Sequence, residues 1–89
     1  MTKITDEFLR YMRYEKNRSP LTVKAYHDDL LDFETFFTDR DEALTWQTVD
    51  ADIIRDWMEH MMERGNKSAS VNRRLSAVKM LFRFALSRH

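Results

Sequence analysis

Eighty-nine residues with one glycine, one proline and only seven Val and Ile make one small domain or a piece of a larger protein, and too few turn formers and β-branched residues are present for a sandwich or barrel. The absence of cysteine excludes disulfides and Cys-based zinc or iron–sulfur sites, and the longest run without a charged side chain is seven residues, 43–49, against the roughly 20 apolar residues of a spanning helix. Fifteen basic and fifteen acidic residues cancel, and a composition that is 43% hydrophobic and 34% charged excludes a disordered chain; an all-α globular domain is expected.

The first helix is predicted from about Thr5 to Lys16, with Ile4, Phe8, Leu9, Met12 and Tyr11 at helical spacing. Thr5 suits the N-cap, Asp6 and Glu7 the first turn, and Asn17-Arg18 the end. The second helix starts on a Ser19 N-cap followed by Pro20, whose missing N–H is no loss at a first helical position. Its seam Val23, Tyr26, Leu30, Phe33 and Phe37 buries one face, and it fades near Thr38-Asp39. Leu21, Leu31 and Phe36 fall outside the seam and point to a second contact surface. Residues 39–48 read as a connector whose Ala43, Leu44 and Trp46 pack down onto the bundle.

The third helix is predicted from about Asp50 to Arg64, with Ile54, Trp57, Met58, Met61 and Met62 on its apolar face and Gly65 where a left-handed C-cap is wanted. The fourth follows Gly65-Asn66-Lys67, capped by Ser68 or Ser70, with Val71, Leu75, Val78, Phe82 and Ala85 as its seam and Leu81 and Leu86 widening it. No internal repeat or second domain is visible, so residues 1–89 are read as one four-helix unit.

Motifs for catalysis are missing. One glycine cannot build a phosphate-cradling loop. His27, His60 and His89 are too far apart in sequence for a His pair on one helix turn. Asp28-Asp29 point to different faces of a helix, and Asp50/Asp52 fit capping and first-turn charge. No catalytic residue, metal or cofactor is expected. The six methionines read as core gap-fillers first.

The zero net charge hides a segregation. Residues 1–27 carry six basic and three acidic side chains, net +3; residues 28–63 carry two and twelve, net −10; residues 64–89 carry seven and none, net +7. Either the ends dock on the acidic middle through weak surface ion pairs, or the two basic segments share a face aimed at a polyanion. With the seam of the fourth helix in the core, Asn72, Ser76, Lys79 and Arg83 form one polar stripe without a carboxylate, with Arg73 beside it and Arg74 at the edge of the core face. Lys67-Ser68-Ala69-Ser70 makes a basic, hydroxyl-rich helix start suited to phosphate. Arg and Asn are also the side chains that read base edges. The second helix starts similarly, with Arg18, Ser19, Thr22 and Lys24. Double-stranded DNA is the expected ligand.

Ser19-Pro20-Leu21-Thr22-x-x-Ala25-Tyr26-x-x-Asp29-Leu30-x-x-Phe33, then Val49-x4-Ile54-x2-Trp57, then Gly65, then the run from Ser70 to Phe82 resemble the N-terminal, SAM-like core-binding domain of tyrosine recombinases, the phage integrases and Xer-type recombinases. The resemblance covers roughly residues 4 to 86. It implies a four-helix SAM-like bundle that grips one side of a recombination half-site through its second and fourth helices, while a separate catalytic domain closes the other side. By position it implies DNA contacts from Ser19, Thr22 and Lys24 and from Lys67, Ser70, Asn72, Arg73, Arg74, Ser76 and Lys79. Asp28 departs from that pattern and would repel phosphate, so the second helix is expected to contribute less. Phe8, Tyr11 and Tyr14 would be candidates for contact with a neighbouring recombinase protomer, although core packing suits Phe8 better. The family's catalytic arginines, histidine and tyrosine belong to the catalytic domain, so Tyr11, Tyr14 and Tyr26 are not nucleophiles. A linker to that domain is expected to begin at Arg88-His89.

The alternative is a helical protein-interaction domain using the acidic middle and the Met-rich third helix. No membrane contact is expected, and the cytoplasm is the expected location. The DNA reading requires the basic N- and C-terminal thirds to converge on one surface with the acidic middle turned away.

Overall fold

The computed structural model describes residues 2–88 and is all helical. α1 spans Lys3–Arg10 and runs on as a π-helical turn, Tyr11–Glu15; α2 spans Pro20–Arg40, α3 Ala51–Glu63 and α4 Ser68–Arg88. His89, half of the expected linker start, lies outside the described residues.

α1 begins earlier than its sequence suggests. Thr2 stands at the N-cap and Thr5 lies inside the helix, fully buried. A threonine can be buried there because its Oγ1 donates to the Thr2 carbonyl at 2.6 Å. The π turn then ends on Asn17, whose φ of 54° places it in the left-handed region that Asn tolerates. The start of α2 is as expected: Ser19 Oγ accepts from the Thr22 N–H at 3.2 Å and Pro20 is the first helical residue. Ser19→Ala should lower stability by about 1 kcal/mol in urea denaturation, the usual effect of losing an N-cap.

α3 is capped at both ends. Asp50 Oδ1 accepts from the Ile53 N–H at 3.0 Å. At the other end the Gly65 N–H donates to the Met62 carbonyl and the Asn66 N–H to the Met61 carbonyl, a Schellman closure with Gly65 at φ 88°. A Cβ at Gly65 would meet nothing within 4 Å, so only the backbone conformation resists substitution. Gly65→Ala should therefore cost about 1–2 kcal/mol, read as a shifted urea midpoint with an unchanged m-value. α4 starts at Ser68 without the expected serine cap; Lys67 precedes it, its carbonyl accepting from Val71.

The core is aromatic. Phe33, fully buried, lies 4.7 Å from Trp57, 5.2 Å from Phe37 and 5.4 Å from Trp46 between ring centroids. Trp46 pins the connector as expected, with its Nε1 donating to Glu34 at 2.9 Å, whereas Ala43 is exposed. The seam of α2 is buried from Leu30 to Phe37, while Leu21 and Leu31 remain exposed.

α4 buries a face rotated from the expected one. Val71, Val78 and Leu81 are buried as predicted, but Ala77 and Phe84 join them, Leu75 and Phe82 are half-buried flankers and Leu86 is exposed. Ala77 and Phe84, both outside the expected seam, take the buried places expected for Leu75 and Phe82. At 100° per residue, this rotation carries Asn72, Ser76, Lys79 and Arg83 to the side directly opposite the core and turns Arg74 inward.

Candidate nucleic-acid interface

Asn72, Ser76, Lys79 and Arg83 are all exposed along α4, with no carboxylate between them. Lys67 is exposed at the helix start, where the first backbone N–H groups have no intrahelical partner. Lys67, Lys79 and Arg83 form no ion pair among the described residues. At the far end of the stripe, Arg83 shares a shallow groove with Lys16 and Arg18, the basic residues that lead into α2. The basic N- and C-terminal segments thus meet at this groove. Arg18 belongs to the basic helix start that the sequence marks, whereas nothing in the sequence marks Lys16; the place of both beside Arg83 depends on the π turn, which periodicity does not disclose.

The α2 candidates are weaker. Ser19 and Thr22 bond to each other through their hydroxyls at 2.9 Å, and Thr22 is half-buried. Lys24 is held by Asp28 on its own helix at 3.3 Å. Hydrogen bonds from His27 and Lys24 keep Asp28 below the usual carboxylate range. Ser70 is half-buried in the first turn of α4.

Arg73 and Arg74 correct the expectation that the acidic middle turns wholly away. Asp29 of α2 is buried, and its Oδ1 accepts from Arg73 Nη2 at 3.0 Å with Arg74 Nε at 3.6 Å. Asp32 accepts from Trp57 Nε1 at 3.0 Å, from Arg64 Nη2 at 3.2 Å and from Arg74 Nη1 at 3.4 Å. Two acids of the middle segment therefore hold three arginines of the C-terminal one. Arg74 is three-quarters buried and serves the interior; Arg73 keeps 58% of its side chain exposed. The sequence carried a signal for this: Asp29 lies three residues after Tyr26 and four before Phe33, on the buried side of α2.

Burial pushes the Asp29 carboxyl above its ordinary 3.8, desolvation outweighing the opposing pull of Arg73 and Arg74. The folded protein thus holds this proton more tightly than the unfolded chain, so the group adds most stability below 3.8 and its contribution is lost as pH rises through the raised value. Relative to Asp29→Asn, the wild type should lose stability as pH rises above 3.8, compared as paired urea midpoints on either side of that value.

Among the described residues, no three His, Asp or Glu side chains gather as a metal site, and no helix is long and apolar enough to cross a membrane.

Residues 5–89 match the family model for the phage integrase, N-terminal SAM-like domain. The chain belongs to this family. This integrase-type domain is 33% identical over 78 residues to a tyrosine recombinase XerC of Natranaerobius thermophilus, an alignment covering 88% of the chain and 26% of the relative. It is 36% identical over 83 residues to a XerC of Pelotomaculum thermopropionicum, covering 89% and 27%. It is 36% identical over 85 residues to a XerD of Bradyrhizobium diazoefficiens, covering 96% and 26%. The integrase-type domain spans about a quarter of the length of these curated relatives. No solved structure matches it.

Proposed function

We propose that this chain is the DNA-gripping domain of a site-specific tyrosine recombinase, laid against one face of a recombination half-site by the exposed side of α4 and the start of α2. The observation that carries the reading is the acid-free exposed stripe Asn72, Ser76, Lys79 and Arg83, continued by Lys16 and Arg18 across the groove. Lys67, Lys79 and Arg83 neutralise phosphates, as do the free N–H groups in the first turn of α4. Asn72, Ser76 and Arg73 supply the hydrogen bonds that register the helix on base edges or backbone. Ser19, Thr22 and Ser70 add hydroxyl contacts, and Lys24 adds a charge shared with Asp28. Arg74 supports the interface from behind.

The domain carries no strand-cleaving chemistry of its own in this reading. Its partners are duplex DNA, a catalytic domain of the same parent protein and other recombinase protomers, and its place is the cytoplasm. The protein-interaction alternative has less to stand on: of the methionines of α3 only Met62 is exposed, Met61 being fully buried and Met58 half-buried, and Asp29 and Asp32 are engaged by arginines.

A fluorescence anisotropy titration with a duplex half-site tests the proposal. Binding at low salt should be micromolar or weaker, and its logarithm should fall linearly with log salt at about −0.9 per phosphate contact. A flat titration at low salt would overturn it.

A further inference from the structure

An exposed arginine on a DNA-facing helix is ordinarily a flexible cation, and much of its affinity is lost to ordering the side chain on binding. Arg73 is different. Its Nη2 is held at 3.0 Å by a carboxylate whose own side chain is 4% exposed, while 58% of the arginine side chain faces solvent. One carboxylate oxygen uses only part of the guanidinium fork, which has five N–H donors, so the rest stay available outward. The anchor is itself fixed. Arg74 bridges Asp29 to Asp32, and Asp32 is tied to the buried indole of Trp57. A polar chain therefore runs from the aromatic core to the surface beside Ser76. The charge of Asp29 is offset by Arg73 and Arg74 beside it, whereas its neighbour Asp28 is half-exposed and bonded to Lys24.

We infer that Asp29 is a positioning residue for duplex recognition, its buried carboxylate holding the Arg73 guanidinium in one orientation on the exposed side of α4. The inference rests on the function proposed above and deepens it. Burial of an ionised carboxylate is unfavourable in itself, and a pair kept on those terms at a surface suits a positional role better than a stabilising one.

The test exploits a sign reversal. Bulk electrostatics makes the loss of any acid favourable for binding DNA. Asp28→Asn should follow that rule and bind duplex as tightly as wild type or tighter. Asp29→Asn should instead weaken binding by about 3- to 10-fold, despite the same change in net charge, because the arginine is no longer ordered in advance. The variant should fold, since Arg74 retains Asp32 and Asp32 retains the Trp57 indole, while the neutral amide no longer supplies the charge-assisted bond that fixes Arg73; circular dichroism at the assay temperature checks this. In an Arg73→Ala background the weakening by Asp29→Asn should vanish, leaving an effect like that of Asp28→Asn, which an effect on general stability would not do. Arg73→Lys, which keeps the net charge and needs no change at Asp29, should also weaken binding because a point charge cannot hold the fork geometry. Wild-type affinity in Arg73→Lys overturns the inference, as does an Asp29→Asn that binds like Asp28→Asn, or one whose loss persists without Arg73. If wild type binds and Lys79→Glu weakens it while Asp29→Asn does not, the positioning role alone fails. If wild type does not bind duplex at low salt, the functional reading fails and takes this inference with it.

Discussion

Trp57→Ala should leave the domain without a stable fold at physiological temperature. Trp57 has no accessible surface, its ring lies 4.7 Å from Phe33, and its Nε1 is one of the donors that hold Asp32. Removing a buried indole ordinarily costs about 3–5 kcal/mol, a large share of the roughly 5–15 kcal/mol that holds a domain together. The thermal midpoint should fall by on the order of 20 °C, or the cooperative transition should be lost. Trp57→Phe separates the two roles: it keeps an aromatic ring against Phe33 and removes the N–H. Asp32 would then keep Arg64 and Arg74, so the loss should be only about 1–2 kcal/mol. An alanine variant that melts within a few degrees of wild type would show that the aromatic cluster does not carry the fold.

The second large effect is on binding. Reversing Lys67, Lys79 and Arg83 to glutamate should abolish measurable duplex affinity, a loss on the order of 100-fold or more at low salt, with the helical spectrum unchanged. These three are exposed and free of ion pairs among the described residues, so no native ion pair is broken. Arg73→Glu with Arg74→Glu is a different experiment. It places two carboxylates against Asp29 and Asp32 in a site where Arg74 is three-quarters buried. That double variant should lose helicity, and its loss of binding would then report unfolding. Retained affinity in the triple variant would remove α4 from the interface.

Much of the architecture was legible because its signals are local. Ser19-Pro20 opens α2, Asp50 caps α3 and Gly65 closes it, each through bonds made within four residues in the sequence or a backbone angle. The seam of α2 was legible for the same reason. The buried face of α4 was not fully so. Period alone favours the large residues Leu75 and Phe82, yet the helix seats on Ala77 and Phe84, a choice made by the shape of its neighbours. Nor does periodicity announce a π turn, although that turn brings Lys16 and Arg18 beside Arg83. At the proposed interface, the exposed stripe was readable from spacing and the absence of acids. The burial of Asp29 was marked by its place on the seam side of α2, but its partner Arg73, 44 residues on, was not, because charge counted along a chain does not say which charges meet.

The contacts from Trp57 through Asp32, Arg74 and Asp29 to Arg73 have one more consequence. Ligand occupancy and interior order become thermodynamically linked: whatever pins the outer guanidinium also tightens the hydrogen bonds behind it, and whatever loosens the indole pocket slackens the grip outside. Duplex should accordingly protect the Trp57 ring from quenchers it never touches, and the fluorescence of that buried chromophore becomes a gauge of events at the surface.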